Sequence, residues 1–283
     1  MDLGRVGVWS AQLRYGDRGA IREAAAELED LGYGALWVPG GAGGDVLGDC
    51  ARLLDATRRV VVATGILNIW MHDAADVAAG HQRLARGRFL LGLGVSHALL
   101  VDRTGTYERP LAKMREYLDR LDAASPPVPV AERVLAALGP RMLELARDRS
   151  AGAHPYLTTP DHTAVARAVL GPGPLLAPEQ KVVLETDAGR ARAIAREALA
   201  IYLRLPNYTN NLLRSGFTTD DLAGGGSDRL VDRVVAWGDV ETVAARIGEH
   251  FAAGADHVCI QVLLPDRAAM PLDEWRRLRP ALG

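Results

Sequence analysis

His97 stands where acid–base chemistry would be expected. It follows the apolar run RFLLGLGVS, residues 88–96, and a histidine at the mouth of a strand can give or take a proton near neutral pH. Position alone also suits a loop histidine bonded to backbone. Within the run, alternation sets Leu91, Leu93 and Val95 on one face and Gly92, Gly94 and Ser96 on the other. A bare strand face makes room for a bulky flat ligand or for a neighbouring backbone, and the sequence leaves both open. The pattern G-x-G-x-x-H lacks the third glycine of a dinucleotide loop, and no helical pattern starts directly after it.

Other candidates fall at the ends of apolar runs. In LGPRM, Gly139 permits a tight turn and Pro140 suits the first position of a helix. The free N–H groups of Arg141 and Met142, beside the Arg141 guanidinium, then form a site for an anion. In TGILN, Thr64 and Asn68 are polar and Gly65 interrupts a β-branched run. Gly65-Ile66 is a place for a bulge or an unusual peptide bond that props a ligand, or for an ordinary bulge. His154 and Tyr156 share one side of AGAHPYL, as pocket wall or as packing, while His257, Cys259 and Gln261 share a face of residues 255–264. Gln261, nearest the C-terminal end, is the ligand candidate of that face. Gly40, Gly41, Gly43 and Gly44 make a loop without side chains, either space for a ligand or a flexible lid, with no acid or base before the helix-capping Asp45. Trp9, Trp70 and Tyr156 are aromatic candidates for a substrate wall, or for packing.

Elements that could hold these residues recur along the chain. Strand patterns at 4–10, 34–40, 59–70, 88–96, 133–138, 151–157, 180–186 and 255–264 alternate with amphipathic helical stretches. Eight such units in 283 residues predict a single (β/α)8 TIM barrel over 1–283, an α/β fold with its chemistry at the C-terminal ends of the strands. A doubly wound sheet is the rival. Residues 203–254 form an extra insertion between strands 7 and 8, with helical stretches expected at 229–237 and 240–254.

Composition narrows the function classes. A net charge of −2 with interspersed charges gives no electrostatic case for nucleic acid or an anionic membrane. No apolar run has the length of a spanning helix, and the first residues lack a signal-peptide pattern. Cys50 and Cys259 are isolated, which argues against a disulfide framework or zinc site and for a cytoplasmic protein. The seven histidines form no HxH or HExxH, so no metal site is expected, and there is no GxSxG elbow.

The ordered set VVVATGILNIW, GRFLLGLGVSHA, LGPRMLELA, AGAHPYL and VAWGDVETVAARIGEHFAAGADHVCIQVL resembles the luciferase-like monooxygenase superfamily, and within it the coenzyme F420-dependent oxidoreductases. The resemblance spans nearly the whole chain. It implies a deazaflavin across the barrel mouth, backed by a non-prolyl cis peptide at Gly65-Ile66, with Asn68, Gly94 and Ser96 beside it. It places the phosphate end at Gly139, Pro140, Arg141 and Met142, and His97 at the acid–base position. Hydride transfer between the deazaflavin C5 and a small organic substrate follows, with Trp9, Trp70, His154, Tyr156 and Gln261 as the substrate pocket and a homodimer as the assembly. An FMN-dependent monooxygenase is the alternative, and a non-catalytic cofactor-binding barrel another. Many relatives carry His, Asp or Glu at the end of strand 2, where this chain has Gly40-Gly41.

Overall fold

The structure, a computed structural model, describes residues 1–85, 87–97 and 107–283; the loop expected after His97 falls largely outside the described residues. Its strands are β1 (Val6–Trp9), β2 (Ala35–Gly40), β3 (Val61–Asn68), β4 (Phe89–Gly94), β5 (Arg133–Leu135), β6 (Gly152–Ala153), β7 (Leu175–Leu176), β8 (Glu179–Val183), β9 (Val235–Trp237) and β10 (Val258–Val262). All pair in parallel, in the order β7-β6-β5-β4-β3-β2-β1-β10-β8-β9. Helices separate most of them, because parallel neighbours need a crossover. The sheet curls: Leu175, Ala177 and Glu179 donate backbone bonds to 151, 153 and 155, while the carbonyls of Leu176 and Pro178 accept from Asp256 and Cys259. The same short run therefore touches both β6 and the approach to β10.

The result is an α/β fold with a curled parallel sheet of the TIM-barrel kind, built from ten strands among the described residues rather than the eight expected. Two differences account for the count. The seventh strand pattern, 180–186, corresponds to β8, and ahead of it, before Pro178, lies the short strand β7 in a stretch where no strand is expected from the sequence. The stretch 229–237, read from sequence as helical, is a helix only over Asp228–Val234 and then becomes β9. Val235 and Trp237 are β-forming residue types, and they pair with Lys181 and Val183 at the open edge of β8.

Alternation divides the core into two. Leu36, Val38, Val62, Leu91, Leu93 and Ile260 face the helix layer, while Trp37, Ala63, Leu90, Val134 and Cys259 form the inner cluster. The helix Arg18–Asp30 shows how the outer layer is built: Asp17 caps it through the N–H groups of Gly19 and Ala20, and Ile21, Ala24, Ala25 and Leu28 bury one stripe. β3 is irregular. Between Val38/Thr64 and Gly40/Leu67 on one side, and Ala63/Leu90 and Leu67/Leu93 on the other, it carries one residue more than either neighbour.

The inner core is partly polar. His154 stacks on Trp37 with ring centroids 4.3 Å apart and donates from Nδ1 to the Ala177 carbonyl at 2.7 Å. His257 donates from Nδ1 to the Gly4 carbonyl at 2.8 Å and accepts from Trp37 Nε1 at 3.2 Å. Lys181 and Glu179 form a wholly buried ion pair at 3.0 Å. Gln180 accepts from His250 at 2.9 Å.

These histidines make the fold acid-sensitive. Burial pushes His154 and His257 down to about 4 and His250 down to about 3. The unfolded chain takes up their protons near pH 6.5, the folded chain only well below that, so stability is full above about 6.5 and falls as pH drops toward 4. Each fully differential proton contributes a slope of about 1.4 kcal/mol per pH unit. Urea unfolding at pH 7.5, 6.0 and 5.0 should show a steep loss across this window; a midpoint unchanged between pH 7 and 5 would contradict the burial of these rings.

Candidate active site

At the C-terminal ends of the strands lies a cavity of about 700 Å³. Its floor is the β3 irregularity. The Gly65-Ile66 peptide is cis, and Trp9 Nε1 donates to the Gly65 carbonyl at 2.8 Å. Trp9, Gly65, Ile66 and Gly94 all line the space.

The bare face of β4 has its explanation here. A Cβ on Gly92 would stand 1.9 Å from the Thr64 carbonyl oxygen, and one on Gly94 would stand 2.4 Å from Ile66 Cδ1. The Thr64 hydroxyl also donates to the Gly92 carbonyl at 2.7 Å and accepts from its N–H at 2.8 Å. The glycines thus make room for the bulged neighbour strand. Gly92 is closed off by it, and Gly94 reaches the cavity beside Ile66.

One end of the cavity is cationic. Helix Pro140–Arg149 starts there with proline in its first turn, and Gly139, Pro140, Arg141 and Met142 line the wall. The Met142 and Leu143 N–H groups turn to the Gly139 carbonyl, leaving the Arg141 N–H as an orphan donor. Arg214 comes from helix Pro206–Arg214, and its Nη2 lies 3.7 Å from the point a Gly139 Cβ would occupy. Arg141 and Arg214 both line this end of the cavity beside a helix N-terminus, with Arg214 Nη2 also donating to Asn211 Oδ1 at 3.1 Å, a setting suited to an anion.

The remaining wall is aromatic. His97 packs on Tyr208 with centroids 5.0 Å apart. Burial holds the His97 imidazole down at about 4, so it is neutral at physiological pH. The phenols of Tyr156 and Tyr208 are pushed well above their usual range, chiefly by burial. Ser96, with φ of 52°, offers its carbonyl to Tyr107 Oη at 3.2 Å and Asn207 Nδ2 at 3.1 Å.

Most sequence candidates meet in this cavity: Trp9, Gly65, Ile66, Gly94, Ser96, His97, Gly139, Pro140, Arg141, Met142, His154 and Tyr156. Three do not line it. Asn68 is spent on the Gly41 carbonyl and the Trp70 N–H. Trp70 donates to the Val95 carbonyl at 2.8 Å and so braces β4 from behind. Gln261 lies under Tyr156, where its Oε1 accepts from Tyr156 Oη at 2.8 Å and from Lys181 Nζ at 3.2 Å. Sequence reasoning missed Tyr202, Asn207, Tyr208 and Arg214, because nothing local shows that residues 202–214 fold back over the mouth.

The glycine loop after β2 is tied down. Arg14 donates to the Pro39 and Gly43 carbonyls and pairs with Asp49 at 2.6 Å, which gives a fixed rim rather than a flexible lid. Its glycines differ. A Cβ on Gly40 would lie 2.6 Å from the Ile66 carbonyl oxygen, whereas one on Gly41 meets nothing within 4 Å. Gly41→Ala should therefore leave stability within about 0.5 kcal/mol. Gly92→Ala should cost about 3 kcal/mol through overpacking against backbone. Thermal melts of the two variants compare them directly, and equal melting temperatures would contradict the close approach of β3 to β4.

The chain matches the family model described as luciferase-like monooxygenase over residues 3–257. No curated protein sequence matches it significantly. Among solved structures it is similar to an F420-dependent secondary alcohol dehydrogenase in complex with an F420-acetone adduct, with TM-score 0.76, 14% identity and 99% of each chain covered. It is also similar to the coenzyme F420-dependent tetrahydromethanopterin reductase of Methanopyrus kandleri, with TM-score 0.67, 16% identity and 97% of each chain covered. A third is the FMN-bound oxygenating constituent of 3,6-diketocamphane monooxygenase from Pseudomonas putida, with TM-score 0.69, 14% identity, and 97% of this chain and 96% of that one covered. At such identities these structures support the fold alone. The match over 3–257 takes in the bulged strand, the glycine strand and the Gly-Pro helix start, and on it the chain belongs to the luciferase-like monooxygenase family.

Proposed function

We propose that this protein is an F420-dependent oxidoreductase that moves a hydride between the deazaflavin C5 and a small organic substrate. The observation that carries the reading is the polarity of the cavity: an apolar step at Gly65-Ile66 and Gly94, and a cationic end at Gly139–Met142 with Arg214. A flat ring with a phosphate tail fits that layout. A deazaflavin, when bound, supplies or accepts two electrons as a hydride and is poor at activating oxygen.

The roles of this chain follow from its geometry. Ile66 and Gly65 back the ring, with Trp9 as a side wall. The Arg141 N–H and the two guanidinium groups hold the phosphate. His97 presents a neutral imidazole to the substrate side, where it exchanges hydrogen bonds with a reacting oxygen. Neither Gly40 nor Gly41 offers an acid or base, so the proton chemistry rests on the His97 wall. The homodimer expected from the resemblance belongs to this proposal, and sedimentation measures it.

Absorbance titration of the purified protein with F420 and with FMN tests the assignment. Tight F420 binding with weak FMN binding supports it. The reverse supports an FMN monooxygenase, and tight F420 binding with no hydride exchange in a substrate screen supports a non-catalytic binder. Arg214→Ala should weaken F420 by about tenfold, as expected for one lost charge-assisted bond of about 1.5 kcal/mol; unchanged affinity would remove Arg214 from the phosphate site.

His97→Ala should lower turnover on the order of 100-fold with little change in cofactor affinity. Because the imidazole is held near pH 4 by burial, the wild-type rate should show no His97 titration between about pH 5.5 and 8. A rate equal to wild type in the variant would end the role of His97.

A further inference from the structure

We propose that Tyr208 and His97 together form the subsite that grips the oxygen of an uncharged carbonyl or alcohol substrate. The inference rests on reading this cavity as the catalytic one, and it adds the substrate class and a residue on the insertion.

Three tyrosines pack together here: Tyr202 lies 5.4 Å from Tyr156 and 5.3 Å from Tyr208 between ring centroids. Two of them have no proton to spare. Tyr156 Oη donates to Gln261 Oε1 at 2.8 Å, so at the 2.8 Å contact between the two phenols Tyr202 is the donor. Gln261 Oε1 also takes Lys181 Nζ, which locks the direction of the chain inward, away from the cavity. Among the described residues the Tyr208 hydroxyl has no hydrogen-bond partner. Nor has His97 Nδ1, although it is buried. The Tyr208 hydroxyl is therefore free to donate into the cavity that Tyr208 and His97 both line.

The two residues are held as a pair. Asn207 donates to the carbonyl of Ser96, and the next residue on each side, Tyr208 and His97, pack ring to ring. This double contact joins the end of β4 to helix Pro206–Arg214. The pair thus sets a phenol donor beside a neutral imidazole in the lining of one cavity. Such a pair suits one oxygen atom, with the phenol donating to it and the imidazole either accepting from an alcohol or donating to a carbonyl.

Charge sets the class of substrate. The charged side chains among the described lining residues are Arg141 and Arg214, both at the phosphate end. Arg214 is six residues beyond Tyr208, about 9 Å along the helix. Tyr156 and Tyr202 pack against Tyr208, and Leu205 and Ile201 line the same cavity, surfaces for an apolar or aromatic body. An aryl ketone or the matching secondary alcohol has this composition.

The test uses the full chain without cofactor, so it is independent of whether F420 or FMN is the partner. Binding of carbonyl-13C acetophenone and of ethylbenzene, which lacks the oxygen, is followed by NMR. Tyr208→Phe should weaken acetophenone about tenfold and ethylbenzene less than twofold. In the wild type the bound carbonyl resonance should move downfield relative to that in Tyr208→Phe, a readout that stands even if affinity is modest. Equal losses for both ligands, no loss for either, or no acetophenone binding to the wild type would each overturn the proposal. A chain that binds neither F420 nor FMN but passes this test would overturn the cofactor reading and leave the oxygen subsite standing.

Discussion

One extra residue in β3 governs the site. Parallel strands in register leave no slack, so the added residue between Thr64 and Leu67 has to be absorbed by displacement across the sheet. Four neighbours accommodate it. Gly92 leaves room for the Thr64 carbonyl, Gly94 for the Ile66 side chain, and Gly40 for the Ile66 carbonyl, while Trp9 donates to Gly65. Three strands and a tryptophan are thereby committed to one geometry. What they create is a rigid apolar step in the mouth of a curled sheet, next to a helix start that favours anions.

The polar groups around that step are mostly neutral. Buried imidazoles are held unprotonated and buried phenols protonated, because taking either charge out of water costs more than the site returns. The ionic pair beneath Tyr156, Glu179 with Lys181, is self-compensating. Its role toward the cavity is indirect: through Gln261 it orients the Tyr156 hydroxyl, and through Tyr156 that of Tyr202. A site of this kind binds by directed hydrogen bonds and shape. Among the described lining residues, the charged side chains are Arg141 and Arg214.

The sequence carried much of this architecture. Alternation in β4 separated bulky from bare faces correctly, and the Gly-Pro start of helix Pro140–Arg149 was readable from turn chemistry. What alternation could not say was why the face is bare. Gly92 answers to a carbonyl oxygen on another strand, a contact without local signature. β9 was hidden for a related reason, since Val235–Trp237 continues a helical spacing and becomes strand only because β8 offers it an open edge. Tyr208 and Arg214 were invisible as site residues because their helix reaches the cavity through tertiary folding. Gln261 was read as a ligand, yet the structure uses both of its acceptor contacts inside the protein.

A structure of the protein with F420 bound tests the central claim most directly, namely that the β3 step and the Gly139–Met142 end together hold a ring and its phosphate. The account predicts the deazaflavin ring against Gly65-Ile66 and Gly94, the phosphate at the Arg141 N–H and Arg214, and the free face of the ring toward His97 and Tyr208. A ring bound away from the β3 step, or a phosphate at the opposite end of the cavity, would contradict it.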